Sequence, residues 1–257
     1  MVVDPVWLTN LAKDTDAATA LTAGTLHIWH LHLQGLEPYL EAWASCLSAE
    51  ERDRMNRFVF ERDRIRYGLS RGGLRQLLSQ YVNCEPAKLE FEYETRGKPH
   101  LCLNGQRAEL QFNLSHSGDW VVYGVSCDRA VGIDVEQVRP LRDLQQMAQR
   151  CLTAEEQRAF EQLPSAVAQA QFFEYWTGKE AFLKATGQGL TRSMSDVRAD
   201  LLAGKILPQA GTTGSGQFWH LHLWQPEPSY VGAIVYSGDQ CQCRHLSYSP
   251  STWANPG

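Results

Sequence analysis

The sequence predicts a mixed α+β (α/β) protein, because two kinds of apolar spacing interleave along the whole chain. Strands are predicted where apolar and polar residues alternate, at residues 26–33, 89–93, 111–114, 120–126, 131–136 and within 217–236. Helices are predicted where the spacing is three to four residues, at 63–81, 141–151, 154–162 and 166–186. The tail from about residue 238 is polar and carries no clear signal.

Composition narrows the class of protein. The chain has 257 residues, 43% of them hydrophobic and 21% charged, which is typical of a soluble globular protein with one large or two moderate domains. The net charge of -5 argues against a nucleic-acid or membrane-surface binder. Neither a signal peptide nor a membrane-spanning apolar run is evident. The seven cysteines are scattered, which favours free thiols and a cytoplasmic location.

The first strand and residues 219–223 form a near-copy that carries paired histidines. His30 and His32 share one strand face, and so do His220 and His222. Such pairs can bind a metal ion, but strand histidines with ordinary hydrogen-bond partners are the more common case.

Arginines concentrate in one part of the chain. Ser48 and Glu51 form a capping box that begins a helix. Eight arginines follow between Arg52 and Arg75, a third of all basic residues. A solvated helix face is the default interpretation, although a local arginine cluster in an acidic protein also suits a phosphate-rich ligand.

The motif VGIDVE at residues 131–136 places two carboxylates on one strand face. Val131, Ile133 and Val135 would cover a core, while Gly132, Asp134 and Glu136 point to the other side. Two like charges at this spacing need water, a basic partner or a hard cation. Taken alone, the motif is more often a solvated strand face than a metal site.

A third carboxylate lies on the predicted helix 166–186. Glu180 falls on the apolar side with Phe173, Trp176 and Leu183, where a carboxylate is costly unless it is paired or bound to a metal ion. The alternative is an ordinary i,i+4 ion pair with Lys184, which would contribute only a few tenths of a kcal/mol.

Four motifs, in order, resemble one enzyme family. They are RGKP at 96–99, FNLSHS at 112–117, VGIDVE at 131–136 and WTGKEAFLK at 176–184. Together they resemble the 4′-phosphopantetheinyl transferases of the surfactin-synthetase (Sfp) type, over about residues 48–190.

The resemblance implies a fold and an activity. Such enzymes move the phosphopantetheine arm of coenzyme A onto a serine of an apo acyl or peptidyl carrier protein and release adenosine 3′,5′-bisphosphate. A chain of this length is expected to be a monomeric pseudo-two-fold pair of similar subdomains. The halves would be residues 1–129, with the 3′-phosphate and adenine contacts, and residues 130–257, with the metal-binding carboxylates and the Lys-Glu helix.

The resemblance also implies roles for individual residues. The implied Mg²⁺ ligands are Asp134, Glu136 and Glu180. Glu180 is also the implied base for the incoming serine, directly or through water, and Lys184 stabilises charge on the phosphates. The implied coenzyme A contacts are Arg54, Arg66 and His116 at the 3′-phosphate, Gly97, Lys98 and Pro99 at the adenine, and Ser115, Lys179 and Lys184 at the other phosphates. Glu51 departs from relatives that have a lysine there.

Two other functions compete with the transferase. A catalytically silent module that binds coenzyme A or a carrier protein would not need a complete set of carboxylates with Lys184. A different Mg²⁺-dependent enzyme acting on a nucleotide pyrophosphate would leave the GKP and SHS motifs unexplained. The transferase is therefore the favoured hypothesis.

Overall fold

A computed structural model describes residues 21–189, 193–209, 211 and 214–249. The helices and strands of the first part of the chain are β1 (Thr25–His32), α1 (Leu40–Ser45), α2 (Ala49–Asn56), α3 (Glu61–Val82), β2 (Glu90–Tyr93), β3 (Pro99–Leu103), β4 (Gln106–Arg107), β5 (Gln111–Ser117) and β6 (Trp120–Ser126). Those of the second part are β7 (Val131–Gln137), α4 (Leu144–Cys151), α5 (Ala154–Phe160), α6 (Ser165–Ala185), β8 (Val197–Asp200), β9 (Lys205–Pro208), β10 (Trp219–Trp224), β11 (Tyr230–Ser237) and β12 (Gln242–Ser247).

The two larger sheets repeat one topology. Their strand orders are β12-β1-β6-β5 and β7-β11-β10-β9-β8. In each sheet an early strand pairs antiparallel with a late one, β1 with β6 and β7 with β11. The other edge of the late strand pairs with the strand that precedes it in sequence, β5 with β6 and β10 with β11. One long helix, α3 or α6, lies between the early and late strands in sequence. The mixed α+β fold with two similar arrangements is thus confirmed.

The C-terminal segment is more structured than the sequence suggested. Residues beyond 238 were expected to be uninformative, yet Gln242–Ser247 forms β12, which pairs parallel to β1 in the first sheet. The pattern is weak because only Leu246 of this strand is buried. The strand therefore depends on its distant partner rather than on its own periodicity.

The apolar face of the VGIDVE strand packs where the two sheets meet. Val131, Ile133 and Val135 are fully buried in one cluster with Leu26 and Ile28 of the first sheet. The opposite face of β7 packs against α6. At Gly132 a β-carbon would lie 2.1 Å from the carbonyl oxygen of Ala181, so only glycine permits this approach. It brings the helix bearing Glu180 and Lys184 directly onto the strand bearing Asp134.

Each half has a buried glutamate in the capping box of a short helix. The capping box of Ser48 and Glu51 forms as predicted on α2, and that of Thr153 and Glu156 forms on α5. Glu51 also binds Arg75 of α3, with 2.6 Å between Oε2 and Nε, and Glu156 binds Lys179 of α6. These pairs fasten a short helix to the long helix of each half. Among the described helices, none is long and apolar enough to cross a lipid bilayer.

Candidate active site

Alternate side chains of β5 reach across to β7 and join the two halves. The Asn113 side-chain oxygen accepts a hydrogen bond from the backbone N–H of Ile133 at 2.9 Å. Two and four residues on, the hydroxyl of Ser115 donates to Asp134 at 2.7 Å and that of Ser117 donates to Glu136 at 3.1 Å. The alternation of a strand therefore aligns the FNLSHS motif with the carboxylates of VGIDVE.

Asp134 is the most constrained of the three carboxylates. Its side chain is buried, and its Oδ1 accepts from the ammonium of Lys184 at 2.6 Å and from Ser115. Its other oxygen, Oδ2, is also buried and has no hydrogen-bond partner among the described residues. An unpaired buried carboxylate oxygen is energetically costly, and this oxygen is the ligand atom that a hard cation would use.

Glu136 and Glu180 stand beside Asp134 and are partly buried. Desolvation, followed by the negative charge of Asp134, raises the pKa of both glutamates. The positive charge of Lys184 lowers both values in part. The oxygens of the three carboxylates do not all lie within 4.8 Å of one another. They form an electrostatically coupled group in which like charges hold the side chains apart.

The ammonium of Lys184 contacts β5 and β7, at the boundary between the two halves, rather than residues of its own helix. Its ammonium donates to Asp134, to the hydroxyl of Ser115 at 2.9 Å and to the carbonyl oxygen of Ile133 at 3.3 Å. Among the described residues it forms no ion pair with Glu180. The surface i,i+4 pair considered from the sequence is therefore wrong, and Glu180 keeps its carboxylate for another partner.

Lys179 lies away from this group, contrary to its implied contact with a phosphate. The side chain is fully buried, and its ammonium binds Glu156, the carbonyl oxygen of Cys151 at 2.8 Å and that of Met194 at 3.2 Å. An ammonium carries three protons, and all three are used here. We therefore correct the assignment, because Lys179 is fully buried, holds α6 to α5 and is not accessible to a ligand.

Arg66 and His116 lie on the first-half side of the carboxylate group. Arg66 forms a 2.8 Å ion pair with Asp119, which sits in the turn after the SHS motif. Partial desolvation of the imidazole, together with the positive charges of Lys184 and Arg66, lowers the pKa of His116. The charges of Lys184 and Arg66 therefore act on the imidazole of His116.

Arg54 lines a separate cavity of about 500 Å³ between α2, α3 and β2. Its guanidinium lies 5.7 Å from the ring centre of Tyr67, and Tyr93 and Phe91 complete the far wall. Glu51 borders the same cavity, but its carboxylate is committed to Ser48, Arg71 and Arg75. Glu51 therefore has a structural role in this chain.

The GKP segment links the halves through Lys98. Gly97 has a φ of +85° in the turn between β2 and β3, and Pro99 begins β3. The Lys98 ammonium donates to the carbonyl oxygens of Ala185 at 2.8 Å and Val131 at 3.2 Å. Burial lowers the pKa of Lys98 to about 8, which the carboxylate of Glu94 partly offsets. This ammonium bonds across the boundary between the two halves. A ligand bound at this segment would therefore meet mainly the aliphatic stem of Lys98 and the backbone of the segment.

Sequence reasoning missed several contributors to the site. Asn113, Ser117 and Trp176 were read only as parts of motifs, yet the first two bind β7 and the indole of Trp176 partly offsets the rise in the pKa of Glu136. The signal that could have found Asn113 and Ser117 is their two-residue spacing from Ser115, which puts all three on one strand face.

Comparison with known proteins identifies the family. Residues 130–235 match the description "4′-phosphopantetheinyl transferase superfamily", and residues 34–128 match "4′-phosphopantetheinyl transferase, N-terminal". The 4′-phosphopantetheinyl transferase HetI of Nostoc sp. is 35% identical, over 91% of this chain and 93% of that protein. The chain belongs to the 4′-phosphopantetheinyl transferase superfamily.

Other relatives carry related names. A putative 4′-phosphopantetheinyl transferase of Synechocystis sp. is 33% identical over 83% of this chain and 89% of that protein. The 4′-phosphopantetheinyl transferase Sfp of Bacillus subtilis is 28% identical over 59% of this chain and 65% of that protein. Among solved structures, holo-[acyl-carrier-protein] synthase of Thermotoga maritima matches with a TM-score of 0.34 and 26% identity, over 45% of this chain and 64% of that one. The similarity to the superfamily thus extends over both halves of the chain.

Proposed function

We propose that this transferase moves the 4′-phosphopantetheine arm of coenzyme A onto a serine of apo acyl or peptidyl carrier proteins, with Mg²⁺, and releases adenosine 3′,5′-bisphosphate. One observation carries the proposal beyond family membership. Asp134 is buried with one oxygen fixed by Lys184 and Ser115 and the other left without a partner, beside two further carboxylates. A protein that only bound coenzyme A would gain nothing from this costly arrangement.

The donor set suits Mg²⁺. The ion would be held by Asp134, Glu136 and Glu180, whose oxygens are the hard ligands that Mg²⁺ prefers over nitrogen or sulfur. When bound, Mg²⁺ would neutralise the pyrophosphate and polarise it toward attack. It would also offset the negative charge of Asp134, which adds to desolvation in raising the pKa of Glu136 and Glu180.

The remaining groups divide the work with the serine and the phosphates. Glu180 would accept the proton of the incoming serine hydroxyl, directly or through water. Lys184 supplies a positive charge beside Asp134 that can stabilise the oxygen of the leaving phosphate. Ser115 holds Lys184 and Asp134 in place and would contact a phosphate bound beside them.

The coenzyme A contacts follow from the basic groups of the first half. Arg66 and His116 would bind the 3′-phosphate, whereas Arg54, implied for the same phosphate, lines the separate cavity between α2, α3 and β2. The backbone of Gly97 and Pro99 and the stem of Lys98 would line the adenine. The proposed halves, residues 1–129 and 130–257, therefore supply nucleotide contacts and metal ligands, respectively.

We further propose that the enzyme is a cytoplasmic monomer. Both sheets that border the carboxylate group come from one chain, so no second copy is needed to complete it. All seven cysteines are free thiols, which suits a reducing compartment.

The test is mass spectrometry of a panel of apo carrier proteins incubated with the enzyme, coenzyme A and Mg²⁺. We expect a mass increase of one phosphopantetheine on at least one carrier, and loss of that increase when Mg²⁺ is chelated and when the acceptor serine is changed to alanine. Binding of coenzyme A with no mass increase on any carrier would favour the silent-binder alternative instead.

A further inference from the structure

A second group of metal-ligating side chains lies on the β2–β3 hairpin, apart from the proposed magnesium site. Glu92 of β2 and His100 and Cys102 of β3 each offer a ligand atom, and the three atoms all lie within 4.8 Å of one another. Among the described residues, no other trio of acidic, histidine and cysteine side chains meets this spacing.

Strand register brings these side chains together. Glu92 faces His100 directly across the antiparallel pair, and Glu90 faces Cys102. Phe91 and Leu101 alternate with them and turn inward to the core of the first half. The three ligands therefore share the strand face opposite Phe91 and Leu101. Glu92 and His100 are direct cross-strand partners, whose β-carbons lie about 5 Å apart, and Cys102 is diagonal to Glu92.

Hydrogen bonding leaves part of this group unused. One imidazole nitrogen of His100, Nε2, lies 3.2 Å from the Glu92 carboxylate. The other, Nδ1, is buried and has no hydrogen-bond partner among the described residues. The His100 side chain is only 14% exposed, so water does not readily replace that partner. In the neutral imidazole one nitrogen carries the proton and the other is an acceptor, so with the proton on Nδ1 the lone pair of Nε2, beside Glu92, is available for a metal ion.

We propose that Glu92, His100 and Cys102 bind Zn²⁺ through carboxylate oxygen, imidazole nitrogen and thiolate sulfur. Zinc accepts all three ligand types, whereas Mg²⁺ favours oxygen alone. Tetrahedral zinc places its ligands about 3.3–3.8 Å apart. Glu92 is 68% exposed and therefore free to close the remaining gap. Water, or the exposed Glu90 opposite Cys102, would take the fourth position.

Binding would fasten the hairpin at a useful place. The ion would tie the end of β2 to the start of β3, on either side of the turn that carries Gly97 and Lys98. Lys98 in turn bonds the carbonyl oxygens of Val131 and Ala185 in the other half. The thiol of Cys102 would release its proton to solvent as zinc binds, so affinity would fall with decreasing pH.

Cobalt provides the direct test, because Co²⁺ bound by a thiolate shows a charge-transfer absorption that nitrogen and oxygen ligands do not give. The full chain, reduced and freed of metal, is titrated with Co²⁺ in excess Mg²⁺. We expect one equivalent to produce the band and Zn²⁺ to abolish it. Cys102→Ser should remove the band, and Glu92→Gln should weaken zinc binding about 10- to 100-fold.

Matched variants make the result decisive. Cys84→Ser, which changes a half-buried thiol near the same hairpin, should leave the band unchanged, as should the Cys241→Ser, Cys243→Ser double variant. Zinc should also raise the unfolding midpoint of the unmodified chain but not that of Cys102→Ser. A band that persists in Cys102→Ser, or that disappears with Cys241 and Cys243 instead, would overturn the proposal, as would no band at all.

Discussion

Glu156 and Asp134 are equally buried carboxylates, each with 4% of its surface exposed, and each binds a lysine of α6. Their surroundings differ. Both oxygens of Glu156 have partners, because Oε1 accepts from the N–H of Ala199 and Oε2 accepts from Thr153 and Lys179. Asp134 has partners on one oxygen only. Burial alone therefore does not separate these two acids, whereas their hydrogen bonding does.

Exposure, rather than the number of acceptors, separates the two lysines. Each ammonium has three acceptors, but Lys179 is fully buried, whereas the Lys184 side chain is 28% exposed and faces the carboxylate group. Five residues along a helix rotate a side chain by about 140°, so these lysines point in different directions. We expect substitutions on the Glu156 side to affect stability and those on the Asp134 side to affect transfer.

The largest effect should come from Asp134→Asn. The amide keeps the shape but removes the charge that a bound cation requires, so we expect transfer to fall about 1000-fold or more, roughly 4 kcal/mol. The free energy of unfolding should stay within about 1 kcal/mol of the unsubstituted chain, since repulsion with Glu136 and Glu180 is also removed. Single-turnover transfer and urea unfolding measure the two quantities. A folded variant with a near-normal rate would remove Asp134 from the site.

Glu156→Gln should give the reverse pattern. Removing this charge leaves the Lys179 ammonium buried without its counter-ion, which costs about 3–5 kcal/mol of unfolding free energy. Transfer per folded molecule should be nearly unchanged at a temperature where the variant stays folded. Urea unfolding tests the first expectation and active-fraction kinetics the second.

The neighbouring residue is the matched control for that prediction. Glu155 is 61% exposed at its side chain and pairs only with Arg198, at 3.2 Å, in the described contacts. Glu155→Gln should therefore change stability by less than about 1 kcal/mol. If Glu155→Gln and Glu156→Gln destabilised the chain equally, the structural role of the buried pair would be refuted.

Gly132→Ala should affect both quantities at once. Its added β-carbon would meet backbone atoms of α6, 2.1 Å from the Ala181 oxygen and 2.3 Å from the Ala185 nitrogen. Backbone cannot rotate away, so β7 and α6 must separate, at about 1–3 kcal/mol of stability, and Lys184 must move from Asp134. Gly178→Ala is the control, because its β-carbon would touch only the Leu221 side chain, at 3.3 Å. Similar behaviour of the two variants would contradict this explanation.

Local patterns predicted much of the fold but less of the site. Alternation located β7 and the helical stripe placed Glu180 on the apolar side, because both signals lie within a few neighbouring residues. The partners of the two lysines could not be read in this way. Lys179 meets Glu156 and Lys184 meets Asp134, which lie 23 and 50 residues away, and only the packed fold decides which acid each lysine meets.

The paired histidines illustrate the same limit. His30 of β1 and His222 of β10 were expected to have ordinary partners, and both bind one residue, His245 of β12, at 2.9 and 3.0 Å. No sequence pattern indicated His245, because β12 lies in the segment that carried no signal. The three imidazoles form a chain, buried at His30 and half-buried at His222 and His245, in which the near-copy sequences of β1 and β10 contact the same ring.

The chain of three imidazoles predicts that the folded state loses stability at low pH. Burial lowers the pKa of His245 from 6.5 to about 4 and lowers those of His30 and His222 in the same direction. Between pH 6.5 and pH 4, the unfolded protein therefore binds more protons than the folded protein. The free energy of unfolding should decrease as pH falls through this range, by on the order of 2 kcal/mol. Urea unfolding across this range measures the slope. His245→Gln should flatten it without removing it, because His27 also has a pKa of about 4. An unchanged slope would exclude His245 as a cause.

The smallest effect should come from Arg66→Ala, which removes one partner of a solvent-exposed ion pair. The side chains of Arg66 and Asp119 are 35% and 50% exposed, so this pair contributes little to stability and Arg66 can exchange its carboxylate partner for a phosphate. We expect the KM for coenzyme A to rise about tenfold, equivalent to about 1.4 kcal/mol, and that for 3′-dephospho-coenzyme A to change little. Arg62→Ala, on the same helix but with a side chain 74% exposed, should affect neither KM. Because the two substrates differ only in the 3′-phosphate, an equal loss with both would assign Arg66 to positioning Asp119 and the turn after β5 instead of binding that phosphate.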